Sequence, residues 1–330
     1  MKRYSVLIAA LIGLTVCALL IVEFIVRRSR PDLTIERRYR AAHCFEQSYL
    51  LLCPSAQGTF LRPDGSFWTM TIDDRGERIV PESKPDLPEI WWIGDSISMG
   101  YLLDDEDTAP FAFASAGYNV RNLGSDSLGT KGIAFRLKQA LKANELERRP
   151  PPQHIFWIYN TSDFVDDLKD LRFESNPLYR LAFRLNYELS RRSATYLLIR
   201  SKPADMNQLP PGFDAAPSDD HPTFANLKSL SGELAARGLS LTILVYPGMN
   251  PGTGRPGIED PTTAKLVEFL TENRIVTNGH PVFDVIDLRE DFVRLQQSGQ
   301  SPYIKLDGHP NEIAARLFAE TADRYLKRFR

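Results

Sequence analysis

Apolar positions along the chain fall into two different patterns. The first is a single run near the N-terminus, Val6 to Val26, interrupted only by a glycine, a threonine and Glu23. Its length matches the roughly 20 residues that a helix needs to span a bilayer. Arginines follow the run, rather than the small residues that precede a signal-peptide cleavage site. We therefore predict an uncleaved, single-pass transmembrane anchor over residues 1–28.

The second pattern begins near residue 89, where short apolar runs alternate with longer amphipathic segments. Such alternation is typical of a parallel sheet with helices on both faces, so we predict an α/β fold. The predicted strands are Ile90–Ile93, Tyr118–Leu123, Ile155–Tyr159, Leu239–Tyr246 and Val282–Leu288. The predicted helices are Lys131–Leu146, Thr223–Arg237, Pro261–Glu272 and Asn311–Phe329. Residues 164–220 are too long for one crossover and are interpreted as a helical insertion with a loop.

Residues 29–88 separate these two patterns. They begin with an Arg-rich juxtamembrane stem, interpreted as helical through Ile35 to Phe45 and without a chemical role. Turn signals such as Pro63-Asp64-Gly65 then divide short β-like runs, which indicates a small β extension. The proline-rich stretch Glu82 to Pro88 reads as a linker into the α/β domain, which occupies residues 89–330.

Charge and composition exclude several classes of partner. The chain carries 40 Lys plus Arg against 42 Asp plus Glu, so no overall positive field attracts nucleic acid. Histidine and cysteine spacings match no zinc site, and we expect neither metal nor cofactor. The glycines of Gly252 to Gly257 match a dinucleotide fingerprint by letter, but the run lacks the tight strand-turn-helix context. Nothing in the sequence indicates an oligomeric state.

The side of the membrane is not determined by charge. Arginines after the apolar run favour a cytoplasmic domain, but long C-terminal domains often translocate regardless of such charges. We expect the α/β domain to be extracytoplasmic, in the periplasm or at the cell surface. Cys44 and Cys53 are the only thiols outside the apolar run, and either a disulfide or two free thiols fits their spacing.

Candidate chemistry centres on Ser96, which follows the first predicted strand in Ile93-Gly94-Asp95-Ser96. The carboxyl end of a parallel strand is where open α/β sheets place their ligands. A serine hydroxyl needs a base to become a nucleophile, and that base is usually a histidine oriented by a carboxylate. Of the five histidines, only His309 stands beside a carboxylate in a compact turn, in Asp307-Gly308-His309-Pro310-Asn311.

These two segments resemble the first and last blocks of the GDSL, or SGNH, hydrolases. Asn122 to Thr130 resembles the second block of the membrane-anchored members, and Ile158 to Asp163 stands where the family has its third. The resemblance implies a flavodoxin-like, three-layer SGNH hydrolase fold with Ser96 as nucleophile, His309 as base and Asp307 as its orienter. An α/β-hydrolase is set aside because residue 98 is a serine, which leaves the Gly-x-Ser-x-Gly elbow incomplete.

The chain departs from the family at the oxyanion hole, the donors that stabilise charge on the attacked carbonyl oxygen. Ser127 stands at the position of the second-block glycine, where its backbone N–H can still donate. The third-block asparagine corresponds in register to Ser162, while Asn160 lies two residues earlier. A side-chain amide is the better preorganised donor, which favours Asn160. Asp307 is also one residue closer to the histidine than in the commonest form of the family.

Three functions fit these residues. The first is a serine esterase that cleaves an acyl or O-acetyl group from a cell-envelope glycan or lipid through a Ser-His-Asp acyl-enzyme mechanism. The second is a catalytically degenerate SGNH fold that serves as an anchored binding or assembly protein. The third is an acyltransferase that needs a partner membrane protein. The substrate and its acyl group are not identifiable from the sequence.

Overall fold

The computed structural model describes residues 2–82, 84–159, 161–200, 217–250, 252–277 and 280–328. The N-terminal region contains two helices and two β-hairpins. These elements are α1 (Lys2–Ser29), α2 (Pro31–Ala41), β1 (His43–Glu46), β2 (Tyr49–Leu52), β3 (Gln57–Leu61) and β4 (Phe67–Thr71). The stem helix therefore ends earlier than predicted, because residues 43–46 pair antiparallel with 49–52. Cys44 in β1 and Cys53 after β2 are joined by a disulfide.

Strands and helices alternate through the rest of the chain, and the second half of the domain follows an insertion of three helices. In order they are β5 (Glu89–Ile93), α3 (Ser96–Met99), α4 (Ala109–Ser115), β6 (Asn119–Asn122), α5 (Thr130–Leu146), β7 (His154–Tyr159), α6 (Ser162–Ser175), α7 (Pro177–Ser190), α8 (Ala194–Arg200), α9 (Pro222–Ala236), β8 (Leu241–Val245), β9 (Met249–Asn250), β10 (Arg255–Pro256), α10 (Pro261–Glu272), β11 (Ile275–Thr277), β12 (His280–Asp287), α11 (Arg289–Gln297) and α12 (Glu312–Lys327).

Six strands form the central sheet in the order β11-β12-β8-β7-β5-β6. The five strands from β12 to β6 run parallel, while β11 pairs antiparallel at the edge. Strands β5, β7 and β8 are buried at every residue, as expected for parallel strands that are covered on both faces. The predicted α/β class with a parallel sheet is confirmed. The edge strand β11 was not predicted.

Helices cover both faces of the sheet and make a three-layer sandwich. Successive residues of a strand point to opposite faces, and the adjacent Trp91 and Trp92 show the consequence. Trp91 belongs to the core cluster that includes Leu137 of α5 and Leu266 of α10. Trp92 belongs to the other cluster, with Phe113 of α4 and residues of α12. Both indoles are fully buried.

The β extension is fixed to the sandwich by a buried arginine. Arg78 follows the second hairpin, and its side chain is completely buried. The guanidinium pairs with Asp105 at 2.9 Å and donates to the carbonyls of Met99 and Leu103. A buried charge is tolerated only when it is paired and fully hydrogen-bonded, and these contacts meet that requirement. The extension is therefore part of the same packed unit as the loop behind Ser96.

Helix α1 is long and apolar enough to cross a membrane from Tyr4 to Ser29, and its central side chains face solvent. Its C-terminal end packs against α8. Val26, Leu33, Ala194 and Leu197 form a small buried cluster at that junction. The Glu23 carboxylate accepts hydrogen bonds from the backbone N–H groups of Ala194 and Thr195, at 2.9 and 3.0 Å.

Candidate active site

Ser96 begins helix α3 immediately after strand β5. The chain leaves the strand through Gly94, whose φ of +141° favours glycine, and a Cβ there would lie 2.2 Å from the Ser98 hydroxyl. The Asp95 carboxylate caps the short helix by accepting from the N–H of Ile97 at 2.9 Å. The Ser96 N–H lies in the first turn, where backbone N–H groups have no partner inside the helix. This turn presents both the hydroxyl and the N–H of Ser96 at the strand end.

His309 reaches Ser96 from the turn that precedes α12. Its Nε2 lies 3.2 Å from Ser96 Oγ, and its Nδ1 is hydrogen-bonded to Asp307. The same carboxylate accepts from the backbone N–H of His309 at 3.1 Å, which fixes the turn. With the Nδ1 proton held by Asp307, the Nε2 lone pair faces the serine hydroxyl. The sequence predicted these three residues together, and the structure brings them into one chain of hydrogen bonds.

Burial and charge shift the pKa values of His309 and Asp307. Burial opposes the charged imidazolium, but the hydrogen bond and charge of Asp307 outweigh it, so the pKa of His309 is raised. Burial of Asp307 opposes its ionisation too, yet contact with His309 leaves the pKa of Asp307 below its ordinary value. The pair therefore favours an ionised carboxylate beside an imidazole that accepts a proton readily.

A second carboxylate lies beneath Ser96. Asp95 is almost fully buried, and burial raises its pKa to about 7, with further contributions from the charges of Asp166 and Asp126. Its Oδ2 lies 3.5 Å from Ser96 Oγ and accepts a hydrogen bond from the Ser162 hydroxyl at 3.2 Å. In this arrangement the Ser162 hydroxyl is directed to Asp95. No role for Asp95 beyond its place in the motif was predicted from the sequence.

Two of the predicted oxyanion donors lie in the described part of the chain, Ser127 on the loop after β6 and Ser162 at the start of α6. Ser127 has a φ of +60°, the left-handed region that favours glycine and that few other residues adopt. The backbone at this position therefore has a conformation that glycine adopts readily. The Ser127 carbonyl accepts from Lys169 at 2.6 Å, which holds the loop from its outer side. Asn160 lies outside the described residues.

The stem takes part in the surroundings of the site, contrary to the sequence interpretation. Tyr39 of α2 donates to the Asp126 carboxylate at 2.9 Å, next to Ser127. The Tyr39 ring also contacts Tyr101, whose ring packs edge-on against His309 with centroids 4.9 Å apart. A tyrosine in an Arg-rich stem gives no sequence signal of such a contact, because its partners lie more than 60 residues away.

The other histidines occupy structural positions where the structure describes them. His43 is buried against the carbonyl of Tyr39, and His154 lies 2.9 Å from the Thr242 hydroxyl, where burial lowers its pKa to about 3. His221 caps α9. The side chain of His280 lies outside the described residues. Within the described part of the chain, no group of three or more His, Cys, Asp or Glu side chains is arranged to hold a metal ion.

No protein-family model and no curated protein matches this chain. Among solved structures, a member of the lipolytic G-D-S-L family from Veillonella parvula aligns with a TM-score of 0.44 and 19% identity, over 73% of this chain and 98% of its own. A psychrotrophic esterase from a Pseudoalteromonas species aligns with a TM-score of 0.39 and 15% identity, over 73% and 97%. A GDSL-like lipase from Bacteroides thetaiotaomicron aligns at 0.39 and 12%, over 72% and 88%. At these scores the similarity carries no argument about chemistry, which rests on the side chains described above.

Proposed function

We propose that this chain is a serine hydrolase of the SGNH/GDSL type that cleaves ester bonds. The observation that carries the proposal is the contact of Ser96 Oγ with His309 Nε2 at 3.2 Å, with Nδ1 of the same ring bonded to Asp307. A nucleophile, a base within hydrogen-bond reach and an orienting carboxylate are the parts that covalent acyl transfer requires. The position of Ser96 at the carboxyl end of a central parallel strand adds support.

In the proposed mechanism, Ser96 Oγ attacks the carbonyl carbon of an ester while its proton moves to His309 Nε2. Asp307 holds the imidazole in position and stabilises the imidazolium that forms. Collapse of the tetrahedral intermediate breaks the ester C–O bond, and His309 returns the proton to the leaving alcohol. Water, deprotonated by His309, then attacks the acyl-serine and releases the acid, which restores the free serine.

Charge on the tetrahedral intermediate needs donors that are in place before the reaction. We assign the backbone N–H groups of Ser96 and Ser127 to this role, with Asn160 as the side-chain donor. Ser162 is the alternative, but its hydroxyl donates to Asp95 in this structure. A donor that is already bonded elsewhere must break that contact to reach the substrate, which favours Asn160.

We further propose that α1 anchors the enzyme in a membrane and that the α/β domain is extracytoplasmic. The length and apolar surface of α1 support the anchor. The disulfide between Cys44 and Cys53 supports an oxidising compartment, since such bonds persist in the periplasm and at cell surfaces. Substrates in reach of such an enzyme are acylated glycans and lipids of the cell envelope.

A second function, an anchored binding protein without turnover, is favoured by the serines at positions 127 and 162, which stand where the resemblance places a glycine and an asparagine. Labelling separates the two functions. The full chain in detergent micelles should react with a fluorophosphonate at Ser96 and hydrolyse p-nitrophenyl acetate. Ser96→Ala should lose both reactions, with a fall in kcat of at least about 10³-fold. Ser115→Ala, on the exposed surface of α4, is the matched control and should keep both. Absence of labelling in the folded wild-type chain would favour the binding protein.

A further inference from the structure

Exposed apolar side chains are concentrated on the helical insertion. Outside α1, nine of the fifteen exposed large apolar side chains in the described part of the chain lie on α6, α7 and α8. Scattered single residues of this kind are normal on soluble proteins, but a contiguous group marks an interaction surface. The surface formed by the outward sides of these three helices is called the insertion face below.

Helix α7 is amphipathic with its apolar side outward. Leu178, Leu181, Leu185 and Leu189 recur at helical spacing and are 78%, 64%, 57% and 39% exposed. The side chains of α7 in the exposed class are all apolar, while its polar side chains are half-buried or buried. Tyr187, for example, donates to the carbonyl of Arg40 at 2.8 Å on the inner side. This arrangement is the reverse of a surface helix on a soluble domain.

Helix α6 repeats the arrangement in part, since it also exposes Arg172 and buries Phe164. Val165, Leu168 and Leu171 are exposed, whereas Asp163 and Asp167 are buried on the opposite side. Asp167 accepts hydrogen bonds there from Thr223 of the neighbouring α9. Leucines therefore point outward from two successive helices, so a single misplaced side chain does not explain the insertion face.

The insertion is also fixed to the end of α1. The Glu23 carboxylate accepts from the Ser193 hydroxyl at 2.8 Å, in addition to its two bonds at the start of α8. Arg27 donates to the carbonyl of Arg192 at 3.1 Å, two residues after α7 ends. The end of α1 thus contacts the segment between α7 and α8, at the level where the apolar run of α1 gives way to arginines.

We propose that the insertion face lies on the surface of the bilayer that α1 spans, with the leucines of α7 in the boundary between headgroups and acyl chains. This proposal rests on the membrane anchor of the proposed function. Helices that lie in this boundary present leucines to the lipid and arginines to the headgroups. The exposed Arg28, Arg30 and Arg192 lie at the junction with α1. Arg30 and Arg192 are paired with Asp32 and Glu188 at the surface, where such pairs are weak enough for a lipid phosphate to compete for the guanidinium.

Bilayer contact would also position the active site. Helix α6 begins at Ser162, whose hydroxyl is bonded to Asp95 beneath the nucleophile. The first exposed apolar residue of the insertion face, Val165, is three positions further along. One turn of α6 therefore links the residues beneath Ser96 to the lipid-facing surface, which favours an ester carried on a lipid or a lipid-linked glycan over a freely diffusing one.

The test uses the full chain, one molecule per nanodisc of phosphatidylcholine and phosphatidylglycerol. In a Cys17→Ser background, an environment-sensitive fluorophore is attached to Leu181→Cys on α7. The matched control is Leu146→Cys, at a position at the end of α5 where the leucine is 76% exposed. A third variant, Leu14→Cys, places the fluorophore on α1, where the leucine is 70% exposed. All three positions are exposed, so folding is preserved. Quenching by lipids with a doxyl group near the headgroup is measured, with p-nitrophenyl acetate hydrolysis in the same discs.

We expect at least fivefold stronger quenching at position 181 than at position 146. Equal, weak quenching at both positions, with strong quenching at 14 by deeper doxyl groups, would overturn the proposal and leave the anchor in place. A blue shift at 181 only in discs with two chains would assign the face to a second copy and overturn it too. Weak quenching at 14 would remove the anchor and the proposal together. The hydrolysis assay is independent of the quenching measurements. Absence of hydrolysis would therefore refute the proposed esterase function and leave the proposed membrane contact untouched.

Discussion

The two sides of the candidate active site differ in how completely their residues are in place. On the attack side, Ser96, His309 and Asp307 are joined by hydrogen bonds. On the oxyanion side, Ser127 occupies a backbone conformation that favours glycine, and the Ser162 hydroxyl is bonded to Asp95. The difference teaches that one side of a site can depend on side-chain chemistry while the other depends on backbone conformation. The predictions below separate the two sides.

The largest effect is expected from Asp307→Asn on the attack side. An amide in place of the carboxylate no longer fixes the productive tautomer of His309, so kcat should fall by about 10³–10⁴-fold. Asp307 is also what raises the pKa of His309 against the effect of burial. The acid limb of the pH profile of kcat/KM should therefore move to lower pH in the variant, as steady-state hydrolysis across pH will show. An unchanged acid limb would mean that another group acts as the base.

The second prediction compares two candidate donors on the oxyanion side. Asn160→Ala should lower kcat by about 10²–10³-fold with little change in KM, because an oxyanion donor acts mainly in the transition state. Ser162→Ala is the paired control and should cost much less, since its hydroxyl is bonded to Asp95. The same ester assay measures both. A reversed order of the two losses would assign the donor role to Ser162.

The third prediction concerns Asp95, which lies between the two sides. Its pKa is raised from 3.8 to about 7, so the folded state holds a proton that the unfolded chain releases in that interval. This contribution to stability is full below pH 3.8 and is lost as pH rises to about 7. An asparagine at position 95 can still accept the hydrogen bond from the N–H of Ile97 that caps α3, but it carries no charge. Asp95→Asn should therefore raise the free energy of unfolding at neutral and alkaline pH by up to about 4 kcal/mol, and Tm should rise with it.

Thermal unfolding of the two proteins as a function of pH checks this prediction. At acidic pH, where Asp95 is protonated in both states, the variant and the wild type should unfold at the same temperature. A constant difference in Tm at every pH would show that the substitution acts through packing or hydrogen bonding instead.

The smallest effect is expected from Ser127→Gly. A non-glycine residue in the left-handed region costs about 1–2 kcal/mol, which glycine relieves in part at the expense of unfolded-state entropy. Tm should rise by about 2–4 °C at most, with esterase activity retained because the N–H stays in place. Ser127→Ala keeps the Cβ and should not stabilise. Equal Tm values for the Gly and Ala variants would mean that the backbone at position 127 is unstrained.

The interior of the fold was predictable because its strands are buried. β5 and β7 were predicted within one residue at each end, since continuous apolar runs are the signature of covered parallel strands. β11 has three residues with Val276 half exposed, and α11 has nine residues and buries only Phe292, so both are too short and too exposed to form an apolar run. Local sequence patterns predict an element when many of its residues are buried, and they give no signal when few are.

The attack side was predictable for a related reason. Serine after a strand-end glycine and histidine beside a carboxylate are rare combinations that point to one chemistry. The roles of Tyr39, Arg78 and Asp95 were not visible, because each depends on partners brought together by the fold. The contact of Tyr39 with Asp126 spans 87 positions and follows no spacing rule.

Arg78 has a consequence for how the protein can change during evolution. A flexible linker between a membrane anchor and a catalytic domain ordinarily tolerates insertions. The distance between the membrane and the active site can then change from one homologue to another. Here the side chain also donates to the carbonyl of Thr69 in β4 at 3.0 Å, beside its bonds to the loop behind the nucleophile. Residues added to the β extension would have to be accommodated without moving that guanidinium. Under the proposed function, the distance from the membrane anchor to Ser96 is thus a fixed dimension of the fold, and an ester at a different depth would need a different protein.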